Sequence, residues 1–195
     1  MKEIAKKLLR LLLGDYSAYV IYANVSGKGD LQQTEPHTTL KVLSVDSTDI
    51  GACPEPLIRE QIGYAGPGSH AYACFEQDRL VGVCFYWFGQ RYLKRNYWPL
   101  QTGEAKLVQI ITLPEVRGAG VATLLIAQSC HDMAARGFTK AFARVWHSNT
   151  PSIKAFERAG WTRIALVLEI NPFRQSQPFR IRFKIRAHET RMQQS

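Results

Sequence analysis

Apolar residues recur at helical spacing over residues 2–13, where Ile4, Leu8, Leu11 and Leu12 share one stripe and Lys2, Lys6, Lys7 and Arg10 fall elsewhere. Gly14 and Asp15 end that helix. Tyr16–Ala23 then reads as a strand rich in Tyr, Val and Ile, and the polar run 24–37, containing Ser26-Gly27-Lys28-Gly29-Asp30, reads as a flexible connection. Thr39–Val45 is a predicted strand. Asp46-Ser47 offers caps for a stretch through Ile62 that Pro54 and Pro56 interrupt. Ala71–Glu76 and Leu80–Phe85 flank Gln77-Asp78-Arg79 as a hairpin, and residues 86–103 read as an irregular, aromatic-rich insert.

Beyond the insert the period switches regularly. Ala105–Leu113 is an apolar strand ended by Pro114, and a helix follows from about Gly120 to Arg136, closed by Gly137. Thr139–Trp146 is a strand, Pro151–Ala159 a short helix closed by Gly160, and Trp161–Ile170 and Phe179–Ile185 are two last strands. Antiparallel hairpins followed by strand–helix–strand–helix–strand predict a mixed α/β (α+β) fold with a parallel pair at the centre of its sheet. No internal repeat or low-complexity segment appears.

Composition narrows the class. A length of 195 residues suits one domain with a decorated end: residues 1–37 as a helix–strand extension and linker, and 38–195 as the domain proper. With 46% hydrophobic and 21% charged residues, the chain is not mainly disordered, and no apolar run approaches a membrane span. The net charge of +9 divides unevenly: +3 falls in residues 1–13 and +5 in 173–191, which leaves +1 for 14–172. The body is almost neutral and the ends are basic. Cys53, Cys74, Cys84 and Cys130 are dispersed, with no CxxC and no zinc-ligand spacing, so no metal site is expected. Lys6, Lys7 and Arg10 interrupt the N-terminal apolar stretch and no small-residue cleavage site follows it, which argues against a secretory signal. Reduced thiols in a cytoplasmic protein are the simplest expectation.

Two segments carry candidate chemistry. Arg117-Gly118-Ala119-Gly120-Val121-Ala122 follows a strand and opens a helix. Glycines let the backbone turn tightly and approach a ligand, while the first helical N–H groups and the helix dipole favour an anion such as pyrophosphate. The plainer reading is a tight strand-to-helix connection, and neither GxGxxG nor a Walker loop is present. About thirty residues on, Asn149 stands at a second strand-to-helix junction within Ser148-Asn149-Thr150-Pro151-Ser152, and Ala155-Phe156-Glu157-Arg158-Ala159-Gly160-Trp161 leads into the next strand. Taken alone, this is a capped amphipathic helix packed on the sheet.

Together, in this order and at this spacing, the two segments resemble the GNAT superfamily of acyl-CoA-dependent N-acyltransferases. The resemblance covers roughly residues 39–170 and is dense over 104–161. It implies a mixed central sheet whose central parallel strands splay apart, flanked by helices, and acetyl-CoA as cosubstrate. It assigns the pantetheine arm to Ile111 and Thr112, and the pyrophosphate to Arg117, Gly118, Ala119, Gly120, Val121 and Ala122. Asn149 would contact the pantetheine arm from the facing side. Glu104 is the expected general base. It lies an even offset from Thr112 on one strand face, and Glu104-Ala105-x-Leu107-x-x-Ile110-x-x-x-Pro114 looks like the equivalent strand of GNAT protein N-terminal acetyltransferases. Eight strand residues span roughly 27 Å, so a bulge or splay must intervene, and the plainer reading is an exposed Glu at a strand start. Phe156 departs from the family, which often has Tyr there to protonate the leaving thiolate. His147, Ser148 or a water are the substitutes, and the alternative is a chain that binds CoA but acts slowly or through a partner.

The remaining features bear on the acceptor amine and on partners. The insert holds Tyr86, Trp87, Phe88, Tyr92, Tyr97 and Trp98 among Arg91, Lys94 and Arg95. It suits a sugar ring, an aromatic amine or an anionic acceptor. Equally, it reads as a lid stapled to the sheet or as a homodimer interface. Phe179–Arg186 alternates apolar and cationic residues, preferred as an edge strand protected by charge over a nucleic-acid strip. For residues 1–13, packing on the domain is preferred to contact with an anionic membrane surface.

Overall fold

In the computed structural model, which describes residues 15–25, 39–93, 97–171 and 179–185, the predicted order of elements recurs. The helix expected over 2–13 and most of the connection 24–37 lie outside the described residues, as do Lys94, Arg95 and Arg186. The strands are β1 (Asp15–Val25), β2 (Leu40–Val45), β3 (Ser69–Glu76) and β4 (Arg79–Trp87). They continue with β5 (Glu104–Thr112), β6 (Lys140–Trp146), β7 (Thr162–Asn171) and β8 (Phe179–Lys184). The helices are α1 (Ser47–Gly51), α2 (Pro56–Arg59), α3 (Gly89–Tyr92), α4 (Val121–Ala135) and α5 (Thr150–Arg158).

All eight strands form one sheet in the order β2-β3-β4-β5-β6-β1-β7-β8. Neighbours are antiparallel except β5 and β6, the parallel pair that the strand–helix–strand pattern requires. The N-terminal strand β1 is interior: Tyr19 is opposite Trp146 of β6 on one edge and Val167 of β7 on the other. β8 closes the sheet as an exposed edge, with Arg180 paired to Glu169 of β7 at 2.5 Å.

Two differences from the expected elements stand out. β4 runs through Trp87, which takes Tyr86 and Trp87 out of the insert. Every residue from Leu80 to Trp87 is buried, so both faces are covered and no polar alternation marks where the strand ends. The interrupted stretch 46–62 becomes α1, α2 and a 3-10 turn over Glu60–Tyr64. Asp46 caps α1 by accepting from the Thr48 and Asp49 amides at 2.7 and 3.1 Å, as its position predicts.

Apolar layers cover both faces. On one face α4 and α5 contribute Leu125, Ile126, Met133 and Phe156 to a core shared with Ala105, Leu107, Ala143 and Val145 of β5 and β6. On the other, Tyr19, Ile21, Phe142 and Val167 pack with Tyr97, Trp98 and Leu100 from the insert. The four cysteines are buried free thiols, and among the described residues no helix is long and apolar enough to cross a membrane.

Candidate active site

The parallel pairing of β5 and β6 lasts only from Glu104 opposite Lys140 to Leu107 opposite Ala143. β5 nevertheless continues to Thr112 and β6 to Trp146, so the two strands separate where each still has several residues to run. A register shift between Phe85 and Tyr86 of β4 leaves Val108 as the extra residue of β5, a bulge at the point of divergence. The burial of β5 changes there too, from four buried residues to five half-buried ones.

A cleft of about 200 Å³ fills the gap, and its lining comes from both faces of the sheet. Leu107 to Ile110 form one wall; Asn149, Ser152 and Phe156 approach from the helix side, and Tyr97, Arg144 and Trp146 from the other. The edge of β5 that faces the gap has lost its β6 partner beyond Leu107, so its backbone can pair with an extended ligand, as an added strand would.

At the far end of β5 stands the glycine loop. Gly118 and Gly120 have φ of 88° and 85°, a region costly for other residues, which is why glycines occupy both. Gly120 is the residue before α4, and the Leu124 N–H makes the first inward bond, 3.0 Å to the Gly120 carbonyl. The Arg117 and Ala119 amides turn inward to the Pro114 and Val116 carbonyls at 3.2 and 3.3 Å, and those of the first turn of α4 face out of the helix end, beside the exposed Arg117 side chain. Gly82 brings this loop close to the strands: a Cβ there would lie 3.1 Å from Thr112 and 3.3 Å from Val121 side-chain atoms. The pyrophosphate candidates Arg117 to Ala122 and the pantetheine candidates Ile111 and Thr112 therefore form one continuous track leading into the cleft.

Asn149 joins the track from the facing side. Its side-chain oxygen accepts from the Ser152 N–H at 3.2 Å, capping α5. Replacing Asn149 with alanine should cost about 1 kcal/mol of stability through the lost cap, measured by urea unfolding, besides weakening any ligand contact of its amide. Phe156 is a core residue, stacked on Tyr22 with centroids 5.5 Å apart and edge-on to Trp161 at 5.1 Å. His147 is a strand-end residue whose ring Nδ1 lies 3.0 Å from the Ala18 carbonyl, away from the cleft.

Glu104 lies at the closed end of the β5–β6 pair. Its Oε2 accepts from the Gln101 N–H at 2.8 Å, and its Oε1 is 3.6 Å from the Lys140 ammonium. It does not line the cleft, whose lining contains no carboxylate and no imidazole among the described residues. Four strand residues, roughly 13 Å, separate it from Val108. The insert divides its work: Tyr86 bonds Ser129 in the helix-side core, Trp87 donates to the Tyr64 carbonyl at 2.8 Å, and Tyr97 alone among its aromatics lines the cleft.

Sequence reading passed over Lys106 and Arg144. Lys106 is fully buried; its amino group donates to the Tyr92 phenol oxygen at 3.0 Å and to the Trp98 carbonyl, 3.7 Å from the centre of the Tyr97 ring. Burial, reinforced by Arg144 and Arg182, pushes its pKa down to about 6. The available signal was a lysine inside an otherwise apolar strand. A second recess of about 280 Å³, lined by Ser44, Asp46, Gly66 and His70 among others, contains none of the catalytic or cofactor-binding residues expected from sequence.

The family model described as "Acetyltransferase (GNAT) family" matches residues 39–161. Among solved structures, an acetyltransferase of the GNAT family from Colwellia psychrerythraea is 14% identical with a TM-score of 0.56, over 86% of this chain and 60% of its own. A GNAT-family protein from Novosphingobium aromaticivorans is 16% identical, TM-score 0.55, over 80% and 64%. A GCN5-related N-acetyltransferase from Sphaerobacter thermophilus is 13% identical, TM-score 0.54, over 86% and 55%. The chain thus spans 55 to 64% of the length of these proteins, and at such identities the likeness is one of fold. No curated protein matches it.

Proposed function

Because the chain belongs to the GNAT acetyltransferase family, we propose that it transfers acetyl from acetyl-CoA to a primary amine by direct attack. The observation that carries this reading is the separation of β5 and β6 after Leu107, with the glycine loop at the far end of the same strand. Acetyl-CoA supplies the activated acyl group as a thioester. The amides at the start of α4, with Arg117, hold the pyrophosphate; the open edge of β5 at Ile111 and Thr112 pairs with the pantetheine arm, and Asn149 meets it from α5. Bound this way, the thioester lies near the bulge at Val108, and the acceptor reaches it from the face of Tyr97, Arg144 and Trp146.

The amine must arrive unprotonated. Glu104 serves as base through ordered water, since its distance along β5 excludes direct contact with a thioester at Val108. Its bonds to the Gln101 amide and Lys140 hold the carboxylate in one orientation. Glu104→Gln should lower kcat by about 10²-fold or more, the scale of general base catalysis, and leave the KM for acetyl-CoA within a factor of about two. An unchanged kcat across neutral pH would remove Glu104 from the mechanism. Phe156 donates no proton, so the thiolate leaves with water as its acid.

Calorimetry with acetyl-CoA, followed by detection of free thiol across a panel of amines, tests the proposal as a whole. A second reading, a CoA-binding protein without turnover, draws on the apolar Phe156 and on a cleft lining that, among the described residues, holds no carboxylate or imidazole. Tight binding with no thiol release from any amine would favour it.

A further inference from the structure

Arg144 is the feature that neither the fold nor the transfer step accounts for. It occupies the first position of β6 after the pairing with β5 ends, and its side chain lines the cleft. By strand alternation it shares the face of Phe142 and Trp146, opposite α4 and the glycine loop. Its guanidinium carbon lies 5.0 Å from the centre of the Tyr97 ring, 5.1 Å from Tyr19 and 5.2 Å from Trp146. Three rings from three elements fix the group in place, at the distance where a cation and an aromatic face attract.

Several other arginines are spent on structure. Arg91 donates to the carbonyls of Pro67, Gly63 and Ala65, while Arg136, Arg163 and Arg180 pair with Asp132, Glu157 and Glu169. Arg144, although half-buried, makes no hydrogen bond or ion pair among the described residues. The carboxylates of its face are engaged: Glu104 with Lys140, and Glu169 with Arg180. Lys106 lies beneath Tyr97, and Arg182 stands 5.7 Å over Trp98. The cation beside the cleft is therefore Arg144, a guanidinium whose planar fork is unpaired, with Arg182 of the basic C-terminal segment on the same side.

We infer that the acceptor is a small amine bearing a carboxylate, and that Arg144 receives this carboxylate in a bidentate bond. The inference rests on the transferase reading above and adds the substrate class. A fork of N–H donors matches a planar carboxylate, and the aromatic clamp means little side-chain freedom is lost on binding. With the carboxylate anchored at the rim, the amine of the same molecule turns inward toward Val108, where β5 and β6 part.

The test compares ω-amino carboxylates of two to six carbons with their neutral amides as acceptors. The protein should favour the carboxylate by roughly 10- to 100-fold in kcat/KM, mostly through KM, as expected of a charged hydrogen bond. Arg144→Gln should collapse that ratio toward one, and Arg144→Lys should restore part of it. Acetylation of the amides as fast as the carboxylates overturns the inference while leaving the transferase reading intact. If no acceptor turns over, the same pairs are titrated against the CoA-bound protein by Trp fluorescence. Carboxylate-selective binding that is lost in Arg144→Gln supports the inference, and absent or unselective binding overturns it. Failure of acetyl-CoA itself to bind marks the loss of the transferase reading instead.

Discussion

Gly120→Glu should reduce acetyl-CoA affinity by at least about 100-fold while the protein still folds. Gly120 has φ of 85°, so any side chain there costs about 1–2 kcal/mol in backbone strain. The added Cβ meets nothing within 4 Å, so no clash unfolds the domain and the loss of melting temperature is modest. The carboxylate is what matters. It projects at the start of α4, where the outward amides and the helix dipole attract one anion and repel a second. Gly120→Ala separates the two effects, since it keeps the strain without the charge and should lose well under tenfold. Calorimetric affinities of the two variants within threefold of each other would show that the loop does not bind the pyrophosphate.

Lys106→Met should remove a pH dependence of stability that the unaltered protein carries. The folded protein holds this pKa at about 6, against 10.5 for an unperturbed lysine, because burial disfavours the ammonium and Arg144 and Arg182 repel it. Between those values the unfolded chain binds more protons than the folded one. Unfolding free energy therefore rises with pH across that window, by at most about 1.4 kcal/mol per pH unit from this one group. Below the folded value the slope vanishes, because both states are protonated. Methionine fills a similar volume among the Tyr92 and Tyr97 rings and does not titrate. Relative to the unaltered protein, Lys106→Met should gain about 3 kcal/mol as pH falls from 9 to 6.5, read from urea unfolding at each pH. Parallel curves would mean that the ammonium keeps its proton in the fold, held by the two rings.

Much of the site is legible because its signals are local. Gly118 and Gly120 announce left-handed backbone wherever the rest of the chain goes, and the apolar runs on either side place that turn between β5 and α4. Asn149 before Pro151 reads as a helix start, and the start is where the structure has it, capping α5. Glu104 reads as an exposed residue at a strand start; it does open β5, but it is buried there. Its neighbours Lys140 and Gln101 were not legible, because one arrives from another strand and the other from the irregular insert.

Where a residue's surroundings come from distant segments, the sequence is silent. Tyr92, Tyr97 and Trp98 look alike as aromatics in an insert, yet Tyr97 lines the cleft while Tyr92 and the Trp98 carbonyl enclose the amino group of Lys106. Lys106 reads as an interruption of an apolar strand, and only the insert folded over β5 makes it a buried group. Arg144 reads as one more polar position in an alternating strand. Its three rings lie more than forty residues away at Tyr97, more than a hundred away at Tyr19, and two residues away at Trp146.

By itself the chain determined most of the described elements, the parallel pair and the glycine loop, since each depends on residue spacing over a few turns or strand positions, and its two motifs carried the resemblance to the family. Tertiary structure decided that β1 enters the sheet between β6 and β7, that the splay expected of β5 and β6 begins after Leu107, and that Arg144 stands unpaired there. A strand's own residues specify that it pairs and which face is apolar, but not which neighbour it takes. That choice is made by the whole sheet when it buries both faces at once, and the acceptor side of this cleft is assembled by that choice.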